Sequence, residues 1–501
     1  MDEWNRGVAM IKYIVAIDQS TSGTKVLLVD AKAKIIYKKA KAHQQLYPQP
    51  GWVEHDPVEI YENVKHLLND VLTKQAVLQQ QIKGLSITNQ RETIVVWDKE
   101  TGVPVHHGIV WQCRRTADAC VQLKEQGYEQ KFYDKTGLTL DPYFSATKVK
   151  WILEHVPDAR KKAEAGKLLL GTIDSWLIWK LTDGEEHVTD YTNASRTALF
   201  NIHTLEWDQE LLEILNIPHS MLPVVKSSDA IFGVVSDEEV SAKGMPISGV
   251  IGDSQGALFG QKCFEPGMAK ATYGTGTSVL MHTKSCVNAE NGLVTSIAWG
   301  IGDEIDYALE GIIRSTGDTI NWLSDQLALI KDVSELEPLA KSIDDNQGVY
   351  LIPAFVGLGA PYWDAHARAA IVGLNRNSGK AHVARAALES IAYQVKDAVE
   401  LIEKASGIKM QQLRVDGGAT ANGFLMQFQA DMLGTAIRVS SLAELSAMGS
   451  VYLAGLGLGV WQSVEEISTL NPENEGHFPS LDSNLKDEWY RGWKRAVNRI
   501  L

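Results

Sequence analysis

Gly249–Ser278, GVIGDSQGALFGQKCFEPGMAKATYGTGTS, sets two devices close together in the chain. The first, Gly252-Asp253-Ser254-Gln255-Gly256, is a glycine-flanked carboxylate after the apolar pair Val250-Ile251. The second, Thr272-Tyr273-Gly274-Thr275-Gly276-Thr277-Ser278, is a glycine and hydroxyl loop between apolar runs. Glycine lets backbone N–H groups approach an anion, and Thr or Ser adds hydroxyl donors, so such a loop suits phosphate. A carboxylate near it can accept the proton of an attacking hydroxyl. The pair points to phosphoryl transfer, although each motif alone also fits an ordinary tight turn or hairpin turn.

At 501 residues and 45% hydrophobic content the chain is too long for one ordinary core, which predicts two domains. A formal net charge of -14, with Lys and Arg scattered, argues against nucleic acid and anionic membrane as partners. Cys113, Cys120, Cys263 and Cys286 show no metal spacing and are too few for a disulfide scaffold, as in a reduced cytoplasmic protein. The opening MDEWNRGVAMIKYIV has acids before an apolar run too short for a signal peptide, and Met10 is a second candidate start. Asn193-Ala194-Ser195 then fits a glycosylation sequon only by chance.

From Lys12 to Lys39 the pattern is a three-strand meander. Tyr13–Ile17 leads to Asp18, Gln19–Thr24 is a hydroxyl-rich turn, Lys25–Val29 returns, and Ile35-Ile36 begins the third strand. Strand, hydroxyl and glycine turn, strand recurs at Ala269–His282, which suggests two similar domains offering a hairpin each to one phosphate chain. Asp56-Pro57-Val58-Glu59 opens a helix with Asp as N-cap, Pro at the first position and a near capping box. Val64, Leu67, Leu68, Val71 and Leu72 are its core stripe. Arg91-Glu92 follows the strand Gly84–Thr88, where α/β sheets put ligand contacts, though a surface ion pair fits as well. Tyr307–Leu323 reads as a helical pattern interrupted by Gly311 and Gly317. A long helix spans about Ala381 to Lys404. Leu413–Asn422 is strand, glycine turn and helix, a setting for an anion or a flat base. Ala447–Trp461 is apolar and glycine-rich, too short for a bilayer and suited to a closely packed core helix. The alternation of strands and helices favours an α/β fold.

Longer stretches carry a resemblance. YFSATKVKWI at Tyr143–Ile152, and Ala369–Leu374 through Ala386–Glu389, are similar to the two signatures of the FGGY carbohydrate kinases. GWVEHDP at Gly51–Pro57, NQRET at Asn89–Thr93, VWQCRR at Val110–Arg115 and DYTNASR at Asp190–Arg196 are typical of the branch that phosphorylates glycerol. The likeness runs from about Tyr13 to Trp493. It implies two actin-like, ribonuclease H-like ATPase domains, 1–260 and 261–501, closing over ATP and a small polyol held in the cleft between them. It also implies Mg²⁺, a homodimer or homotetramer, and no membrane insertion.

Residue by residue, the resemblance implies that Thr21, Ser22, Gly23 and Lys25 of the first hairpin and Gly274 and Thr275 of the second hold the ATP phosphates. Gly317, Asn321, Gly418 and Asn422 match positions lining the nucleotide. Arg91, Glu92, Trp111, Tyr143 and Asp253 match polyol contacts, with Asp253 as general base and with Asp18 and Asp253 nearest the magnesium ion. The expected reaction is transfer from ATP to a terminal hydroxyl of a small polyol, glycerol first, giving sn-glycerol 3-phosphate. Several residues depart from the pattern. Ser254 replaces a glutamine on the polyol, Ser278 replaces an aromatic ring, Lys25 replaces an arginine, Gly23 replaces a hydroxyl, and Arg314-Ser315 sits in a usually apolar stretch. The two small pocket residues leave room for erythritol, threitol, xylitol, xylulose or ribulose as acceptor. Two further classes compete: an actin-like ATPase working by conformation, against which Arg91, Glu92, Trp111 and Tyr143 speak, and a non-catalytic sugar-binding regulator, which would lack Asp253. Relatives inhibited by fructose 1,6-bisphosphate bind it on a glycine loop bearing an arginine; the matching Glu238–Met245 has one cation, two acids and no arginine.

Overall fold

The computed structural model describes residues 12–75, 78, 81–289, 292–362, 364, 366–442, 444–470 and 476–501. The opening stretch, with Met10, lies outside the described residues. The chain divides into two compact units. Unit 1 takes the chain as far as Lys262 and adds Ser296–Tyr307 and Glu444–Pro472; unit 2 takes Cys263–Thr295, Ala308–Ala443 and Glu473–Leu501.

In unit 1 a six-stranded sheet runs, edge to edge, Ile231–Val234, Pro246–Gly252, Ile82–Asn89, Tyr13–Gln19, Gly23–Asp30 and Ile35–Ala42. Tyr13–Gln19 is buried along its whole length, which is why it reads as a continuous apolar run. Helix Pro57–Lys74 packs on the hairpin strands and helix Leu445–Gly457 on the three central ones. The expected stripe Val64, Leu67, Leu68, Val71 and Leu72 is buried. Asp56 caps that helix, accepting from the Val58 N–H at 2.8 Å. The capping box does not close: Glu59 instead accepts from the Gln44 N–H at 3.1 Å, drawn off by the chain passing beside it.

Unit 2 repeats this order. Gly476–His477, Ile437–Val439, Gln412–Gly417, Met268–Tyr273, Thr277–His282 and Glu304–Ile313 are successive neighbours in its sheet. Both sheets have the same sense along this series: antiparallel at the edge, parallel twice, then antiparallel twice. The recurring hairpin is therefore one topology used twice. Tyr307–Leu323 is not one interrupted helix. It is the end of the strand Glu304–Ile313 followed by helix Gly317–Asp325. Gly311 belongs to the strand because the long helix Lys380–Ser406 lies close over it; a Cβ there would stand 3.0 Å from that of Ala398.

Each unit buries its own apolar cluster. In unit 1, helix Asp253–Gly260 lies against helix Leu445–Gly457 closely enough that Gly256, Gly260 and Gly449 leave no room for a side chain. The glycine-rich stretch is thus a close-packed core helix. None of the described helices is long and apolar enough to cross a membrane.

Candidate active site

Three parallel strands of unit 1 end level with one another: Gln19 and Gly252 both register with Asn89. Asp18, Arg91 and Asp253 sit at these carboxyl ends, where open α/β sheets present ligand groups. Asp253 opens helix Asp253–Gly260, and its side chain is 37% exposed. Arg91 Nε lies 3.3 Å from Asp253 Oδ1, and Arg91 Nη1 donates to Gln255 Oε1 at 3.2 Å. Gly252 makes this possible, since a Cβ there would stand 2.9 Å from Arg91 Cγ. The Gly252 N–H donates to the Thr192 hydroxyl at 2.8 Å, and that hydroxyl donates to Asp190 at 2.9 Å. The backbone before Asp253 is therefore fixed by the Asp190–Arg196 segment.

Glu92 takes a left-handed backbone, φ 61°, which a non-glycine residue holds only when its surroundings impose it. Its buried carboxylate accepts from Arg196 Nε at 2.6 Å, and its carbonyl accepts from the Ser145 hydroxyl at 2.8 Å. Trp111 and Tyr143 form an aromatic wall with ring centroids 5.2 Å apart. The Trp111 indole N–H donates to the Thr21 hydroxyl at 2.9 Å, joining that wall to the first hairpin.

Asp18 is buried beside that hairpin. Burial raises its carboxyl to about 6, Lys25 works the other way, and Glu444 and Asp253 raise it further. Lys25 Nζ is 3.5 Å from Asp18 and 2.6 Å from Glu444, whose other oxygen takes Lys38 at 2.8 Å. Gly23 carries no side chain because strand Ile35–Ala42 passes close by; a Cβ would lie 2.7 Å from the Lys41 carbonyl oxygen.

In unit 2 the second hairpin turns at Gly274-Thr275-Gly276. A Cβ on Gly276 would stand 2.5 Å from the Ile313 carbonyl oxygen. The Gly317 N–H donates to the Gly274 carbonyl at 3.0 Å and the Thr316 N–H to that of Thr275 at 2.9 Å, so the turn is fastened to the start of helix Gly317–Asp325. Gly417 lies beside Tyr273 with φ 102°, and Gly418 follows it into a short 3₁₀ turn. The result is a glycine-lined set of loop ends with exposed Gly274, Thr275 and Gly418, a surface that admits a phosphate chain to backbone N–H groups.

Two family models match the chain: FGGY family of carbohydrate kinases, N-terminal domain, over residues 13–260, and its C-terminal domain over residues 269–458. The chain belongs to the FGGY family of carbohydrate kinases. It is 52% identical over 493 residues to the glycerol kinase of Caldanaerobacter subterraneus subsp. tengcongensis, covering 98% of this chain and 99% of that protein. It is 50% identical to glycerol kinase 2 of Thermotoga maritima, covering 98% and 99%. The crystal structure of Plasmodium falciparum glycerol kinase with ADP superposes with a TM-score of 0.94 at 38% identity, covering 98% of each chain. Xylulose kinase from Lactobacillus acidophilus shares the fold, with a TM-score of 0.88 at 23% identity.

Within this FGGY kinase fold, unit 1 brings together Asp18, Thr21, Lys25, Arg91, Glu92, Trp111, Tyr143 and Asp253. Ser254 follows Asp253, half-buried, its N–H on Asp253 Oδ1 at 2.7 Å. Ser22 is exposed at the hairpin tip beside Gly23. Unit 2 brings Gly274, Thr275, Gly317 and Gly418 to the ends of one sheet. Asn321 is exposed in the helix that Gly317 opens. Asn422 caps helix Gly423–Leu433, its side-chain oxygen accepting from the Leu425 N–H at 3.0 Å. Ser278 lies in strand Thr277–His282 with its hydroxyl on buried Glu310 at 2.7 Å. The Ser278 proton is thus directed at Glu310, and its oxygen remains an acceptor. Arg91-Glu92 is buried, so it is not a surface ion pair.

Sequence reasoning passed over Glu444, Gln255, Lys148 and the roles of Thr192 and Arg196. For Arg196 and Thr192 a signal was present in the quoted Asp190–Arg196 motif. Glu444 stands 419 residues from its partner Lys25, with no local pattern to announce it.

The donors suit a magnesium ion. Mg²⁺ binds through one or two carboxylates plus substrate phosphates and water rather than a full protein cage. Asp253 is close enough in unit 1 for its charge to raise the buried Asp18 carboxyl, and Lys25 at 3.5 Å only partly offsets that burial. Among the described residues no group of three or more His, Cys, Asp or Glu side chains forms such a cage.

Proposed function

We propose that this FGGY kinase transfers the γ-phosphoryl group of ATP to a terminal hydroxyl of glycerol, giving sn-glycerol 3-phosphate, with Asp253 as general base. The observation that carries this reading is the Arg91–Asp253 pair at 3.3 Å, set at the sheet's carboxyl end beside the Trp111–Tyr143 wall. Full-length identity near one half to glycerol kinases supports glycerol as the acceptor.

Arg91 and Glu92 orient the polyol: a guanidinium donates to its hydroxyl oxygens and a carboxylate accepts their protons. Glu92 keeps its direction because Arg196 holds the other side of its carboxylate. The aromatic wall packs on the carbon chain. Asp253 is the partly exposed carboxylate of the set, so an incoming hydroxyl reaches it. It takes the hydroxyl proton as the oxygen attacks phosphorus. Phosphoryl transfer asks mainly for positioning and charge neutralisation, and a positioned base adds roughly a hundred- to ten-thousandfold.

ATP is the phosphoryl donor in this reading; Thr21, Ser22, Gly23 and Lys25, and Gly274 and Thr275, are the candidate phosphate contacts, and Gly317, Asn321, Gly418 and Asn422 the candidate nucleotide contacts. Mg²⁺, held at Asp18 and Asp253, would neutralise phosphate charge. The assembly is expected to be a homodimer or homotetramer, which light scattering reads directly.

The test is ADP release with glycerol, erythritol, threitol, xylitol, xylulose and ribulose. Glycerol should give the highest kcat/KM. A five-carbon acceptor that outperforms it by tenfold would overturn the assignment.

A further inference from the structure

Lys148 is a fully buried cation in helix Ala146–His155. Among the described residues no carboxylate lies within ion-pairing distance of its ammonium group. Burial pulls the group down to about 7, against the pull of Cys113, Glu92 and Asp141. An apolar side chain of similar volume would fill this space without the desolvation cost. What lysine adds is two hydrogen bonds: Nζ donates to the Tyr143 carbonyl at 3.0 Å and to the Trp111 carbonyl at 3.3 Å.

Both acceptors are loop carbonyls outside any sheet ladder, and they belong to the two residues whose rings meet at 5.2 Å. Trp111 follows the short strand Gly108–Ile109, and Tyr143 precedes the helix that carries Lys148. Tyr143 also donates its N–H to Asp141 at 2.9 Å, and Trp111 donates its N–H to the Thr93 hydroxyl at 3.3 Å and its indole N–H to the Thr21 hydroxyl at 2.9 Å. Among the described residues only Lys148 donates a side-chain hydrogen bond to both carbonyls.

We propose that Lys148 is a positioning residue for the acceptor: it fixes the spacing of Trp111 and Tyr143 and thereby the affinity for a three-carbon polyol. The inference rests on reading those rings as the polyol wall.

The test compares Lys148→Met, Lys148→Gln and Tyr143→Ala in the full chain, reading KM for glycerol, KM for ATP, kcat at saturating glycerol, and Tm. Lys148→Met should raise the glycerol KM tenfold or more. It should leave kcat within threefold, the ATP KM within twofold, and Tm unchanged or higher. Lys148→Gln, which keeps a shorter donor, should fall between, and it decides alone if Lys148→Met does not fold. In a Tyr143→Ala background, Lys148→Met should add little to the glycerol KM. Unchanged glycerol KM in both Lys148 variants overturns the proposal alone. A fall in Tm with parallel losses in kcat and both KM values also overturns it, since that marks a merely structural role. Unchanged glycerol KM in Tyr143→Ala removes the wall reading and the proposal with it.

Discussion

The first hairpin, Tyr13–Asp30, and the second, Met268–His282, occupy the same place in sheets of the same order. The pair before the turn-closing one is Asp18 opposite Lys25 in unit 1 and Thr272 opposite Ser278 in unit 2. Where unit 1 has an ion pair, unit 2 has two hydroxyls. The charged version needs support from far along the chain, because Lys25 is shared between Asp18 and Glu444. The hydroxyl version is settled on the two strands that flank it in its own sheet: Thr272 donates to Asp416 at 2.8 Å and Ser278 to Glu310 at 2.7 Å. One scaffold thus offers an anion two kinds of reception, formal charge in unit 1 and glycine-exposed backbone in unit 2. Asp253, the proposed proton acceptor, lies in the charged unit.

The largest expected effect follows from that last point. Asp253→Asn keeps size and shape but removes the acceptor. Turnover should fall by roughly a hundredfold or more, the range of a general base, with little change in the ATP KM. Steady-state kinetics with purified protein decide it. Turnover within threefold of wild type would place the base elsewhere.

A second substitution sharpens the contrast between the hairpins. Gly276→Ala puts a Cβ 2.5 Å from the Ile313 carbonyl oxygen, inside the sheet, where the backbone has to move. Overpacking of this kind costs about 1–3 kcal/mol, so the ATP KM should rise roughly ten- to a hundredfold. Gly23→Ala meets the Lys41 carbonyl at 2.7 Å, but that neighbour belongs to the edge strand Ile35–Ala42, five of whose eight residues are exposed, and it can yield. Its effect on the ATP KM should be several-fold smaller. Equal effects would mean that both turns are equally rigid.

These contrasts also show what could be read from residues alone. The hairpins, the Asp56 cap and the Leu67-Leu68 stripe are local, carried by residue type within a few positions. Glu304–Ile313 misled because Gly311, which serves close packing against Ala398, resembles a helix break. In the candidate site, Arg91, Glu92 and Asp253 were legible as chemistry, but their convergence depends on strand register. Glu444 and the burial of Lys148, which lies within the quoted Tyr143–Ile152 stretch, were illegible for opposite reasons. Glu444 acts on a strand far away in sequence, and Lys148 sits on a helix where a lysine ordinarily means solvent.

The two units also each bury an acid, and their settings differ. Glu389 in unit 2 has Arg385 at 2.7 Å and Asn346 at 2.6 Å. Asp174 in unit 1 has no cation but the hydroxyls of Thr172 at 2.5 Å and Thr189 at 2.6 Å and the Ser175 N–H, among the described residues. Burial, with Asp190 adding repulsion, pushes Asp174 up to about 7. A carboxyl raised above its unfolded value costs stability as pH rises from about 4 to 7, because the folded chain then holds the extra proton. Asp174→Asn should flatten that slope and raise Tm by a few degrees at pH 8 and less at pH 5, on the order of a kcal/mol or two. Burial raises Glu389 to about 7 as well, so Glu389→Gln should lower Tm at pH 8, where it leaves Arg385 buried without its counter-charge, and less at pH 5. Thermal scans at the two pH values read both, and a lower Tm for Asp174→Asn at pH 8 would refute the assignment.

The smallest expected effect concerns another glycine-containing loop of unit 1, Glu238–Met245, which has neither kind of reception. Its one cation, Lys243, is ion-paired with Glu238. Glu239 adds a second carboxylate, paired with Lys65 at 2.6 Å, and the Ser241 N–H already donates to Asn69 at 2.7 Å. A doubly phosphorylated sugar requires several donors and net positive charge. Here two acids flank one neutralised lysine, and a bound phosphate would have to displace Glu238 to reach it. Fructose 1,6-bisphosphate should therefore leave kcat and both KM values unchanged. The measurement is initial rate against bisphosphate concentration at fixed subsaturating glycerol, with Lys243→Ala as control. Inhibition at sub-millimolar bisphosphate that Lys243→Ala abolishes would show that the loop rearranges to expose its lysine. Inhibition that survives the substitution would place the regulatory contact on another surface.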